Sequence, residues 1–194
     1  PVVYNGVALY RCIPKTTYET GETETILHVG RFDVPKNHAG LLEAFRLLRE
    51  THPECRLRLV GDGDLRLRME ALAKEKGISD AVEFCGMQSN VYPYLHDADI
   101  FTLPSIYEGN PMTIIEAMGT GLPIVASRVG GIPDMIHDGE SGILVEPEPR
   151  AVCDALARMV EDGALRRRLG ENAKAQSRQF SAEHMAEDYL TCYG

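Results

Sequence analysis

The sequence predicts an α/β domain with a doubly wound, parallel six-stranded sheet of the Rossmann-like kind, followed by C-terminal helices. Three observations carry that expectation. From Thr25 onward, short apolar runs alternate with segments of helical period. The connections between them are a few residues long, which implies parallel strands joined by right-handed crossovers. After Pro149 the pattern becomes purely helical. A sheet built this way is covered on both faces.

Taken in order, 26–29 (Ile-Leu-His-Val) reads as the first strand, ended by Gly30. Leu41, Phe45 and Leu48 recur at i, i+4 and i+7, the spacing of one helix face. Residues 56–60 alternate as a second strand stopped by Gly61-Asp62-Gly63, and Leu65, Met69, Leu72 and Ala73 mark a helix that Gly77 closes. A third strand at 82–85 precedes a short helical stretch at 91–96, and 99–103 makes a fourth strand. A helix from Pro111 to 119 leads to a fifth strand at 123–126, and a short helix at 132–137 to a sixth at 142–145. Three helices are expected beyond, one around Val152–Val160, one over 165–178 and one over 182–193.

With 194 residues the chain is long enough to bury roughly 70% of its unfolded surface without a covalent staple. Its 20 basic and 29 acidic side chains give a net charge of −9, the wrong sign for a nucleic-acid binder or an anionic-membrane surface. Any anionic ligand must therefore be gripped by a few placed groups. The five cysteines (Cys12, Cys55, Cys85, Cys153, Cys192) are odd in number and contain no C-x-x-C pair, which argues against a disulfide framework or a zinc site and for a reducing, cytoplasmic setting. No run approaches the ~20 apolar residues of a membrane span. The first residue is proline and 1–4 reads as a strand in progress, so the chain is expected to be a piece of something longer. Six scattered histidines show no ligand spacing and are read as structural or exposed. There is no nucleophile elbow and no Walker phosphate loop, which disfavours a hydrolase or P-loop enzyme.

In doubly wound sheets ligands bind beyond the carboxyl ends of the strands, so the loops there matter most. Gly30-Arg31-Phe32-Asp33-Val34-Pro35-Lys36-Asn37 places two cations five residues apart after the first strand. They can converge on one anion, the guanidinium as a fork and the ammonium as a point charge, or they can be solvated loop charges. In Glu108-Gly109-Asn110-Pro111-Met112-Thr113-Ile114-Ile115-Glu116, Pro111 suits the first helical turn and Asn110 is a good N-cap candidate. Glu116 then lies on a narrow stripe of Met112, Thr113, Gly119 and Thr120 on an otherwise apolar helix. Eight residues at ~1.5 Å rise put the two carboxylates roughly 12 Å apart, with a helix N-terminus between them that favours an anion. An acid, an anion cradle and a second acid is the right order for a sugar, a diphosphate and a ribose. The plainer alternative is a charge balancing the helix dipole plus a structural glutamate. Gly61-Asp62-Gly63-Asp64-Leu65-Arg66 lacks the third glycine of a dinucleotide fingerprint, and a tight turn with Asp62 or Asp64 as helix cap is the better reading. Val129-Gly130-Gly131-Ile132-Pro133-Asp134 either approaches a ligand or simply turns.

Together these segments resemble the C-terminal domain of retaining glycosyltransferases of the GT-B fold, specifically glycosyltransferase family 4. The resemblance rests on Asn5-Gly6-Val7, Val29-Gly30-Arg31 with Lys36-Asn37, Val60-Gly61-Asp62-Gly63, Phe84-Cys85-Gly86 and Pro104-Ser105 with Glu108-Gly109. It continues through Glu116-Ala117-Met118 and Pro123-Ile124-Val125 to Gly130-Gly131 and Gly142, in order along nearly the whole chain. It implies transfer of a sugar from a nucleotide-diphosphate donor, such as a UDP- or GDP-sugar, with retention and with neither a metal nor a cofactor. Arg31 and Lys36 would hold the diphosphate and stabilise the departing charge. Glu108 would lie at the donor sugar with Gly30, Gly109 and Asn110 near it, and Glu116 at the ribose. Backbone N–H groups of Met112 and Thr113 would face the phosphates, and the loop from Gly86 into Met87 would border the base. Asn110-Pro111 stands where the family often has Phe-Gly, a departure at the sugar contacts. The expected organisation is a linker remnant over 1–24, a nucleotide-sugar-binding domain over 25–180 and a final helix over 181–194 returning toward an N-terminal acceptor domain that is missing here. Without that half the chain is expected to bind donor weakly and to transfer nothing. Epimerases and phosphorylases of the same fold, and a receiver-like module, are disfavoured by the glutamate pair and by the setting of Asp33 and Asp62.

Overall fold

Six parallel strands form one sheet in the order β3-β2-β1-β4-β5-β6. The strands are β1 (Thr25–Val29), β2 (Arg56–Val60), β3 (Val82–Gly86), β4 (Ile100–Leu103), β5 (Ile124–Ser127) and β6 (Ile143–Val145). Helices alternate with and follow them: α1 (His38–Arg49), α2 (Arg66–Glu75), α3 (Tyr92–Asp97), α4 (Met112–Thr120), α5 (Ile132–Met135), α6 (Pro149–Glu161) and α7 (Gly163–Ser177). The computed structural model describes residues 6–19, 23–182, 184–186 and 190. The expected opening strand at 1–4 therefore lies outside the described residues. So does much of the helix expected over 182–193, of which 182, 184–186 and 190 are helical.

The two-faced burial follows from alternation within each strand. On β1, Ile26 packs into the core shared with α1, α2 and α6, while Leu27 and Val29 enter the opposite core beneath α3, α4 and α5. β4 repeats this, with Ile100 on the first side and Phe101 and Leu103 on the second. The central strands β4 and β5 are buried along their whole length because neither face meets water, whereas β2 and β3 toward one edge carry Arg56, Arg58 and Glu83 at exposed or half-buried positions. Cys55 fills the first core completely buried, and Cys85 packs part-buried at the edge of the second. Register is regular between β1 and β2, from Thr25↔Arg56 to Val29↔Val60. Between β2 and β3 it slips at the carboxyl end, where Val60 pairs with Gly86.

Strand order reverses direction between β1 and β4, the topological switch point where open α/β sheets leave a crevice. The loops 30–37 and 104–111 leave those two strands side by side. α7 crosses behind α4, and the N-terminal segment closes the same side: Val7 forms a bridge with Ser181, Lys15 N donates to Thr120 O, and the Tyr18 hydroxyl donates to Gly121 O.

Two capping expectations are corrected. Asn110 does not cap α4; Pro111 occupies the N-cap position with extended backbone, Ile114 N donates to its carbonyl, and no side chain caps the helix. Proline takes that place because its ring presets φ and it has no N–H to satisfy. Neither Asp62 nor Asp64 caps α2, whose N-cap is Leu65. The Asp62 carboxylate instead accepts from the neighbouring Gly63 N and from Arg66, tightening the turn.

Candidate functional site

The loop after β1 is held by backbone contacts that only glycine permits. Gly30 N donates to Val60 O, and Phe32 N donates to Asp62 O. A Cβ on Gly61 (φ 140°) would sit 2.0 Å from Gly30 O, and one on Gly63 would sit 2.6 Å from Phe32 O. The Gly61-Asp62-Gly63 turn thus cradles the Arg31 loop. Phe32 is buried and stacks on the His38 ring, centroids 4.0 Å apart. Asn37 adopts the left-handed conformation (φ 56°), and its side-chain amide donates to Pro104 O and Pro147 O, both at 3.0 Å. Ile106 N donates to Pro35 O. The β1 and β4 loops are therefore laced together across the switch point.

That lacing brings Lys36 onto Glu108, Nζ to Oε1 at 2.5 Å. The Ser105 hydroxyl donates to the same oxygen at 2.6 Å, and Ser127 fixes Ser105 by donating to its carbonyl. Glu108 is only 8% exposed, so both donors are needed to keep its charge in place. Gly130-Gly131 supports this loop from behind. A Cβ on Gly130 would lie 1.7 Å from Glu108 O, and Gly131 N donates to Gly109 O. Of the two openings left by its sequence, the glycine pair's approach is to the glutamate loop's own backbone.

Gly30, Arg31 and Met87 line a cleft of about 740 Å³ over the ends of β1, β2 and β3, with Asp62, Gln88 and Val91 completing its wall. Arg31 and Met87 are exposed there. Lys36 does not line the cleft and packs beside Gly30, its alkyl chain 3.3 Å from where a Cβ on that glycine would be. The two cations flank one glycine, but Lys36 is engaged by Glu108 while Arg31 fronts the cleft.

At the start of α4, Met112 and Gly109 are exposed, and Asn110 Oδ1 and Thr113 Oγ1 are buried without a hydrogen-bond partner. Glu116, one face further along, is half-buried, and burial raises its carboxyl pKa against the counter-influence of the Tyr92 hydroxyl and Arg11. The stripe expected around Glu116 is open only at its Met112–Thr113 end. Gly119 is covered by Leu9 and Cys12, and the Thr120 hydroxyl turns back to Glu116 O.

Residues 13–176 match the protein family described as Glycosyl transferases group 1. The chain belongs to that family. It is 35% identical over 182 residues to N-acetyl-alpha-D-glucosaminyl L-malate synthase from Bacillus anthracis, covering 92% of this chain and 48% of that protein. Among solved structures, sucrose-phosphate synthase from Thermosynechococcus elongatus superposes with a TM-score of 0.90 at 30% identity, covering 100% of this chain and 51% of that one. The Anabaena protein Alr3699/HepE, solved with UDP and glucose, shares the fold with a TM-score of 0.88 at 20% identity, covering 100% and 56%. The group 1 chain described here thus spans about half the length of the curated relatives it matches, and its sheet is that of the GT-B neighbours.

Several residues around these loops escape a reading of the sequence alone. His28 is fully buried; its Nδ1 lies 3.0 Å from Thr102 O, and its ring meets His38 edge-on at 4.7 Å. Burial pushes the His28 imidazole well below its usual range, with His38 and Lys36 adding to the effect. The same burial, with Lys36, brings His38 down to about 4. Two neutral imidazoles thus floor the Lys36 loop. A polar residue in the apolar 26–29 run is the one signal that pointed there. Ser127 and Tyr92 carried no signal, because their partners are 22 and 24 residues away. Among the described residues no helix is long and apolar enough to cross a membrane.

Proposed function

We propose that this chain is the donor-binding, C-terminal half of a retaining glycosyltransferase of family 4, which takes a hexose from a nucleotide-diphosphate sugar. The observation that carries the reading is the Lys36–Glu108 pair at the switch point, with the Arg31 cleft on one side of it. A nucleotide seated in that cleft puts its base by Met87 and its diphosphate toward Gly30 and Arg31. Lys36 leaves Glu108 for the diphosphate, which frees the buried carboxylate to face the donor sugar beside Gly109 and Asn110. The uncapped first turn of α4 offers the N–H groups of Met112 and Thr113 to the phosphates. Glu116 accepts from the ribose hydroxyls. HepE binds UDP and glucose on the same fold, which supports a nucleotide-sugar donor.

The leaving diphosphate gains negative charge as the glycosidic bond breaks. Arg31 at the cleft, Lys36 once released from Glu108, and a helix terminus stabilise that charge in a chain whose net charge would otherwise repel it. In this reading they stand in for a divalent metal. Acceptor contacts belong to the other half of a two-domain enzyme working in the reducing cytoplasm, so this chain alone binds the donor weakly and turns nothing over.

Calorimetric titration with UDP, GDP and ADP tests the reading. One nucleoside diphosphate should bind in preference to the others. Arg31→Ala and Glu116→Ala should each weaken it about tenfold, roughly 1.4 kcal/mol. Affinity indifferent to both substitutions, or efficient sugar transfer by the 194-residue chain, would count against it.

A further inference from the structure

Tyr92 is a buried side chain at the first position of α3, with its backbone N–H taken by Asn90 Oδ1. The residue before it, Val91, lines the nucleotide cleft. Its hydroxyl reaches Glu116 Oε1 at 3.4 Å, longer than the ~2.7 Å of a well-made O–H···O bond. Over its ring stands the Arg11 guanidinium, 4.9 Å from the centroid, carried by the single 3₁₀ turn Leu9–Arg11. Cys12, next in the chain, directs its thiol at the Glu116 carbonyl, Sγ to O at 3.7 Å. Two segments distant in sequence, the N-terminal turn and the start of α3, thus converge on one glutamate.

A buried tyrosine hydroxyl needs a partner, and a half-buried carboxylate needs donors. A carboxylate can accept about four hydrogen bonds, so Tyr92 on Oε1 leaves Oε2 and a second lone pair on Oε1 for a pair of ligand hydroxyls. We propose that Tyr92, steadied by the cation of Arg11 over its ring, is the positioning residue that sets the Glu116 carboxylate for a vicinal diol. The inference rests on the ribose role given to Glu116 above and adds what aims and charges that group. The long apo distance closes when the diol draws the carboxylate into line, as hydrogen bonds at functional sites commonly tighten on binding. The groups facing Glu116 are the Tyr92 hydroxyl from α3, Arg11 from the N-terminal turn, and the Cys12 thiol. Of these only Arg11 carries a charge at neutral pH, since burial and Glu116 push the Cys12 thiol up to about 11.

The test is a cycle between the protein hydroxyl and the ribose. The tightest of UDP, GDP and ADP, and the 2′,3′-dideoxy form of that nucleotide, are titrated into the wild-type chain, Tyr92→Phe and Arg11→Ala. Tyr92→Phe should weaken the ribonucleotide five- to tenfold and the dideoxy nucleotide less than twofold, with a smaller loss of the same kind for Arg11→Ala. Tyr92 donates to the ionised carboxylate, so its removal favours the protonated form. On acidification, the Tyr92→Phe affinity for the ribonucleotide should therefore fall away at higher pH than the wild type's. Equal losses on both nucleotides, or an unshifted pH profile, would overturn the positioning role while leaving Glu116 as the ribose ligand. A wild-type chain that does not distinguish ribose from dideoxyribose would overturn the Glu116 assignment and this inference with it. Phenylalanine keeps the ring and its packing, and the melting temperature of each variant confirms that the fold is retained.

Discussion

Lys36 and Glu108 neutralise each other at 2.5 Å in a setting where Glu108 is nearly enclosed. Removing the cation leaves a buried carboxylate with Ser105 as its remaining side-chain donor. Lys36→Met should therefore destabilise the fold by about 1–3 kcal/mol, read from urea unfolding. Glu108→Gln in the same chain should return part of that loss, because a neutral amide needs no counter-charge. A strictly additive double mutant would show that the pair has no energetic coupling. Both partners were legible as candidates in the sequence. That they pair with each other was not, since 72 residues separate them and only the sheet brings them together.

At the scale of elements, the glycine turns hold the site loops at distances no side chain allows. Gly130 (φ 53°) and Gly139 (φ 76°) both have left-handed backbone, so alanine at either costs about 1–2 kcal/mol of local strain. They differ in what a Cβ would meet: Gly139 has open space, whereas Gly130 has Glu108 O at 1.7 Å. Gly139→Ala should thus leave nucleotide affinity unchanged. Gly130→Ala must push the Glu108 loop aside and should lower both stability and affinity, by thermal melting and calorimetry. Equal behaviour of the two variants would mean that the contact does not shape the site. The strands were readable from period and punctuation to within a residue, whereas α1 and α6 each begin three residues before the apolar positions that mark them, at His38 and Pro149. Gly77 closes α2 with left-handed backbone as expected, but the N-caps of α2 and α4 were not readable, because the backbone geometry at a helix start decides which residue takes that place.

Across the whole molecule, Arg166 of α7 is a buried guanidinium that donates to Met159 O and Val160 O at the end of α6 and to Tyr18 O of the N-terminal segment. It ties α7 to the end of α6 and to the N-terminal segment, away from the Arg31–Met87 cleft. Arg166→Met should lower stability by about 1–3 kcal/mol with no change in nucleotide affinity, as measured by urea unfolding alongside titration. A loss of affinity in the folded variant would mean that the rear of the molecule reaches the site.

The sequence by itself determined the layered α/β architecture, and it singled out the loops and the four charged residues proposed to act. Those features are local: hydrophobic period, turn residues and the motif spacing are properties of short stretches. Only the tertiary structure decided that Lys36 rests on Glu108, that Gly130-Gly131 props the glutamate loop and that two neutral histidines lie beneath Lys36. It also set Arg11, Cys12 and Tyr92 around Glu116. Each of those contacts joins residues far apart along the chain, and their meeting depends on strand order and helix packing, which no stretch of sequence encodes alone.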